Sequence, residues 1–186
     1  SLNQGGTVGD EKENVVENIQ APINSQYSEY VPVISADESV MIYTYRGIRS
    51  KGADKLPVSM NSESYTEDVF ISYNKNGEWT EPESIGDNIN SEGHDAAIAL
   101  SVDGQTLFIY KSENNNNGDI YVSKLQGKNW SKPTPLKGDV NKKESWEGSV
   151  SLSANGKVLY FASDRAGGYG GRDLYKAELQ SDDTWG

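Results

Sequence analysis

The chain has 186 residues, 28 acidic against 17 basic, for a formal net charge of −11, with one histidine and no cysteine. That balance argues against nucleic acid and anionic lipid as partners, because both demand a cationic footprint. It also excludes disulfides and thiolate metal ligands. Hydrophobic residues reach only 34%, yet 11 Tyr, 4 Trp and 19 Gly are present, a mixture suited to short strands joined by tight turns.

In chain order, residues 1–10 are Gly-rich and polar, and 11–19 could form one short acidic helical turn. Residues 1–22 read as a linker or the tail of a preceding domain. No apolar stretch is long enough to cross a membrane, and Ser1-Leu2-Asn3-Gln4 does not begin a signal peptide.

Three segments then align with one another. Each holds an Asn-containing start (Asn24, Asn90, Asn141), a Ser-x-Asp or Ser-x-Asn turn (Asp37, Asp103, Asn155), an apolar run, an Asp before an aromatic-rich strand (Asp68, Asp119, Asp173) and a Trp (Trp79, Trp130, Trp185). Asp68 to Asp119 is 51 residues and Asp119 to Asp173 is 54; Trp79 to Trp130 is 51 and Trp130 to Trp185 is 55. Asn24 to Asn90 is 66, so the first repeat carries an insertion of roughly 15 residues, placed around 46–66 as a surface loop.

Each repeat predicts four strands. An inner strand (30–34, 96–100, 148–152) runs into a turn, expected as a two-residue hairpin at Asp103-Gly104 and Asn155-Gly156 and as a weaker one at Asp37-Glu38. A continuously apolar second strand follows, then the Asp-led third strand, then a Trp-bearing outer strand closed by Pro, which suits an edge. A four-stranded sheet with two apolar faces is stable only when stacked on copies of itself, which gives an all-β propeller. The units are blade 1 at 23–88, blade 2 at 89–139 and blade 3 at 140–186, the last truncated at its C-terminal end. Three blades do not close a ring, so the expectation is an arc of a six- to eight-bladed propeller.

The third repeat, with Ser153-Ala154-Asn155-Gly156, Ser163-Asp164-Arg165 and Gly170-Gly171-Arg172-Asp173-Leu174-Tyr175, resembles the TolB-like, WD-repeat-like propeller repeat of bacterial envelope proteins. The first repeat departs most, with Tyr45-Arg46-Gly47 in place of Ser-Asp-Arg. Its opening, through Tyr30-Val31-Pro32-Val33-Ile34-Ser35-Ala36-Asp37, is similar to propellers of Bacteroidetes envelope lipoproteins that carry an OmpA-like peptidoglycan-binding domain, one of them in type IX secretion. The resemblance implies a periplasmic, outer-membrane-associated scaffold that binds other envelope proteins, a basic peptide segment or glycan. The alternative is an accessory propeller gating a prolyl-oligopeptidase-like hydrolase domain.

Glu29, Asp95 and Glu147 each stand eight residues before the turn Asp or Asn, at the start of an inner strand. They are expected either to ring the axial channel and receive a cation or basic peptide, or to accept backbone bonds from the adjacent blade. Asp68, Asp119 and Asp173 read as turn-bonding residues, and Asp164 with Arg165 as a local ion pair. Tyr43, Phe70, Phe108, Tyr121, Tyr160 and Tyr175 are expected in the interblade core. His94 has no second His and no Cys to complete a zinc site, and no nucleophile elbow or phosphate loop occurs. The sequence therefore predicts no catalytic, metal or cofactor residues.

Overall fold

The computed structural model describes residues 16–47, 67–91, 93–112 and 118–186. Most of the expected insertion at 46–66, most of the N-terminal segment and the 114–117 loop tip lie outside the described residues. Among those described there is no helix.

Blade 1 comprises β1 (Ser28–Ile34), β2 (Val40–Arg46), β3 (Glu67–Lys75), β4 (Glu78–Trp79) and β5 (Glu83–Ser84). Blade 2 repeats this with β6 (His94–Leu100), β7 (Thr106–Ser112), β8 (Asp119–Gln126), β9 (Asn129–Trp130) and β10 (Thr134–Pro135). Blade 3 holds β11 (Glu147–Leu152), β12 (Val158–Ser163) and β13 (Asp173–Glu178). Every strand pair is antiparallel.

The expected fourth strand is present as two short pieces on one line, since β4 and β5 both pair with β3, and β9 and β10 both pair with β8. The interruption has a side-chain cause. Thr80 Oγ1 accepts the amide of Tyr73 at 3.0 Å, and Ser131 Oγ accepts that of Lys124 at 3.0 Å. A hydroxyl thus stands in for a ladder carbonyl just before Pro82 or Pro133, which has no amide to donate. In blade 3 the outer strand is represented by the bridge from Trp185 to Leu179.

The turn after each inner strand is longer than the two-residue hairpin expected, because β1 ends at Ile34 and β2 begins at Val40, with the same gap in blades 2 and 3. Side chains build it. Ser35 Oγ donates to Asp37 at 2.6 Å and accepts from the Val40 amide at 3.0 Å, and Ser101 and Ser153 accept equivalently from Thr106 and Val158 at 2.9 Å each. Gly104 and Gly156 take φ of 69°, and Glu38 takes 57° at the same step. Blade 1 therefore makes the same turn without glycine, at the cost of a left-handed non-glycine residue.

The core lies between blades. Ile42, Val69 and Ile71 of blade 1 pack with Ala97, Leu107, Ile109 and Trp130 of blade 2. Phe108 and Ile120 of blade 2 pack with Leu159, Phe161 and Trp185 of blade 3. Tyr160 departs from its expected core position. It occupies the step held by Ile42 and Phe108, whose covering comes from the next blade, and in blade 3 it is 51% exposed. Leu174 shows the same logic: its counterparts Val69 and Ile120 are fully buried, whereas Leu174 is 82% exposed.

Candidate functional site

At the upper end of each blade, where the inner strand begins, a carboxylate sits across from the end of the second strand. Glu29 is in register with Tyr45, Asp95 with Lys111, and Glu147 with Ser163. Asp95 and Glu147 are fully buried. Asp95 accepts the amide and hydroxyl of Ser91, at 2.5 and 2.6 Å, and forms an ion pair with Lys111. Lys111 is itself buried, and its ammonium also reaches the Ile89 carbonyl at 3.2 Å. Glu147 accepts the Lys142 amide at 3.1 Å, the hydroxyls of Ser145 and Ser163 at 2.6 and 2.7 Å, and the Arg165 guanidinium at 3.3 Å. Glu29 is half-buried and takes the amide of Ser25 at 3.2 Å together with its hydroxyl.

The donors come from the linker that enters the same blade and from the end of that blade's second strand, not from the neighbouring blade. Asp95 and Glu147 are therefore directed into their blades, with the bonds and countercharge a buried carboxylate requires. Glu29 alone of the three retains exposed surface. Arg165 pairs with Glu147 rather than with its neighbour Asp164, because its guanidinium turns inward to the carbonyls of Asp139, at 3.1 Å, and Val140. Asp164 instead accepts the amide of Trp146 at 2.8 Å.

Between blades the contact is an amide clip. Asn90 accepts the Val69 amide at 2.7 Å and donates to the Val69 carbonyl at 2.9 Å. Asn141 does the same to Ile120, at 2.9 and 2.8 Å. Asn24, the equivalent residue of blade 1, donates to Asn18 at 2.9 Å on the surface. The recurrence of these asparagines was visible in the sequence, but their two-handed grip was not.

The three third-strand aspartates serve different ends. Asp173 accepts the amides of Tyr169 and Gly170, at 2.8 and 3.1 Å, as a turn residue does. Asp68 is buried. Asp119 is partly buried, and burial, then the charge of Glu147, holds its carboxyl above the usual carboxylate range. The tryptophans anchor outer strands: Trp130 and Trp185 are buried, and Asn88 Nδ2 donates to the Trp130 carbonyl at 2.8 Å. Trp79 packs with Ile23, Met41 and Tyr43.

Two surface groupings at this upper end were not singled out by the sequence. In the first, Tyr30 donates to Glu67, whose other oxygen lies 3.4 Å from His94 Nδ1, joining inner strands of blades 1 and 2. Burial, then the bond to Glu67, raises the Tyr30 phenol well above its ordinary range. In the second, the Arg172 guanidinium lies 3.9 Å from the ring centroid of Trp146, and Trp146 Nε1 donates to Tyr110 Oη at 3.2 Å. Tyr169 stands fully exposed nearby in sequence. Single-sequence reasoning had no signal for the Trp146–Arg172 stack, because the partners lie in different loops. Among the described residues no three His, Asp or Glu side chains converge as metal ligands.

No protein-family model matches the chain, and no curated protein matches it in sequence. Among solved structures it is similar to TolB from Acinetobacter baumannii, with a TM-score of 0.52 and 16% identity, over 87% of this chain and 32% of that one. The fold is that of a TolB-like propeller. A prolyl oligopeptidase B from Galerina marginata, bound to a 25mer macrocyclization substrate, matches with a TM-score of 0.48 and 16% identity, over 84% of this chain and 20% of that one. The chain spans about a third of the TolB chain and a fifth of the oligopeptidase.

Proposed function

We propose that this TolB-like arc is a binding module that engages a protein segment through its upper surface, within a periplasmic protein of the bacterial envelope. The observation that carries the proposal is the division of labour among polar groups. The buried Asp95, Lys111 and Glu147 are bonded inside the blades, whereas Arg172 stacks on the half-buried Trp146 and Tyr169 stands exposed at the surface. Stacked Trp and Arg at a loop surface are the groups that most often dominate protein recognition. Glu29, which retains exposed surface, adds a carboxylate able to receive a basic segment. The TolB-like fold and the resemblance of the repeat support the envelope placement, in a scaffold associated with the outer membrane or secretion machinery.

The test is a peptide array probed with the labelled chain and with its Trp146→Ala and Arg172→Ala variants, alongside an array of peptidoglycan fragments. A set of peptides bound by the parent and lost by both variants is expected. Binding confined to glycan fragments would replace the protein partner with a carbohydrate one. Turnover of prolyl peptide substrates by the chain would sink the non-enzymatic reading.

A further inference from the structure

Blades 2 and 3 leave a cleft of about 530 Å³ beside the turns at Asp103 and Asn155. The largely buried Phe108, Leu136 and Trp185 form its floor, the more exposed Val122, Leu152 and Leu179 add apolar walls, and Lys124, Lys132 and Lys137 stand around it. All three lysines are exposed. They belong to a longer run: residues 124–143 hold six lysines against one carboxylate, Asp139, in a chain whose net charge is −11. Lys124 donates to Thr106 Oγ1 at 2.8 Å, and Asp103 and Asp183 share the rim, so the lysines are partly but not fully offset.

The corresponding stretch one blade earlier supplies an internal control. At the repeat spacing of 51 residues, Tyr73, Glu81 and Gly86 stand where blade 2 has Lys124, Lys132 and Lys137. The residues 73–92 carry Glu78, Glu81, Glu83, Asp87 and Glu92 against a single lysine, Lys75. The cleft between blades 1 and 2 has a similar volume, about 490 Å³, and is lined by Glu83, Lys128, Tyr73 and Trp130. The two clefts share a scaffold, but the first sets one glutamate against one lysine, whereas the second holds three lysines against two aspartates. The blade geometry does not demand lysine at these positions, because blade 1 folds the same way without it.

We propose that the blade 2–blade 3 cleft is a docking site for an acidic, extended peptide segment that places one apolar side chain between Val122, Leu152 and Leu179, above the Phe108–Trp185 floor, with its flanking carboxylates among Lys124, Lys132 and Lys137. Charge complementarity selects the partner and speeds the encounter, while the apolar floor supplies an anchor. The site is separate from the upper-end surface and does not depend on that surface having a ligand.

The test uses the full chain and a short fluorescein-labelled peptide of aspartates and glutamates around one central phenylalanine, read by fluorescence anisotropy. Saturable binding that weakens with added salt is expected. The variant Lys124→Glu/Lys132→Glu/Lys137→Glu should weaken it by about tenfold or more, and phenylalanine to alanine in the peptide by about tenfold. Lys132→Glu alone, at an exposed position, gives a smaller loss in a variant whose fold is not in question. Adding Glu81→Lys and Tyr73→Lys should create measurable binding at the first cleft. Equal binding of a lysine-for-acid version of the peptide overturns the proposal, as does unchanged affinity in the charge-reversed variant. Lysine-dependent binding to anionic phosphatidylglycerol vesicles without peptide binding also overturns it, assigning the patch to a membrane surface.

Discussion

The amide clip makes the sharpest prediction, because the chain contains its own control. Asn141→Ala removes two hydrogen bonds to the peptide of Ile120, of 2.9 and 2.8 Å, at a residue with no exposed surface. The Ile120 amide is left without this partner, at about 1–3 kcal/mol, whereas the Ile120 carbonyl keeps the Leu136 amide at 2.9 Å and loses only its second bond, at about 0.5–1.5 kcal/mol. The expected loss is about 2–4 kcal/mol. Asn24→Ala removes a bond of similar length, 2.9 Å, but at the surface and to a side chain that water can replace, so its loss should stay under about 0.5 kcal/mol. Asn141→Asp separates bonding from shape: it keeps an acceptor for the Ile120 amide but sets a carboxylate against the Ile120 carbonyl, and should cost at least as much as alanine. Urea denaturation followed by tryptophan fluorescence measures all three, with the midpoint interpreted only where the slope is unchanged. If Asn141→Ala and Asn24→Ala shift the midpoint equally, the clip does not hold the blades together.

Three further outcomes follow from the geometry. Lys111→Met strands the buried carboxylate of Asp95 and should cost about 3–5 kcal/mol, most of it recovered in Asp95→Asn/Lys111→Met, both read by the same denaturation assay. Gly138 holds φ of 106°, and a Cβ there would collide with the backbone of Trp185; Gly138→Ala should therefore lower the thermal midpoint and expose Trp185 to acrylamide quenching. Asp119 has a raised carboxyl pKa in the fold, so the native state binds its proton more readily than the unfolded chain does, and stability is lost as pH rises past the ordinary carboxylate value. Asp119→Asn should then be more stable than the parent at pH 7 and indistinguishable from it at pH 3, which a pair of thermal melts would show.

The blade pattern was legible because its signals are local. Turn Ser and Asp, the apolar second strand and the Trp-Pro edge each lie within a few residues, and they fixed strand order and blade type. The errors arose where the answer depends on what lies across space. Tyr160 has the composition of a core residue, but its exposure is decided by the neighbouring blade, not by its own strand. Arg165 follows Asp164 in sequence, yet the buried charge of Glu147 and two linker carbonyls outbid an exposed neighbour. The five-residue turn was misread as a two-residue one because an Asp-Gly or Asn-Gly step is shared by both, and the serine at its start decides between them. The basic cleft was hidden differently: its lysines are spread over residues 124–137, and only the fold gathers them.

The clips also determine how the molecule would bear load. Each joins the third strand of one blade to the linker entering the next, across 21 residues of sequence. Tension along the chain then loads Asn90 and Asn141 together with the apolar cores between the blades. A pulled chain would give up its blades singly, each release adding a length of about 170 Å for a 51-residue repeat. The arc would then yield in graded steps, the weaker of its two seams setting the force of the first.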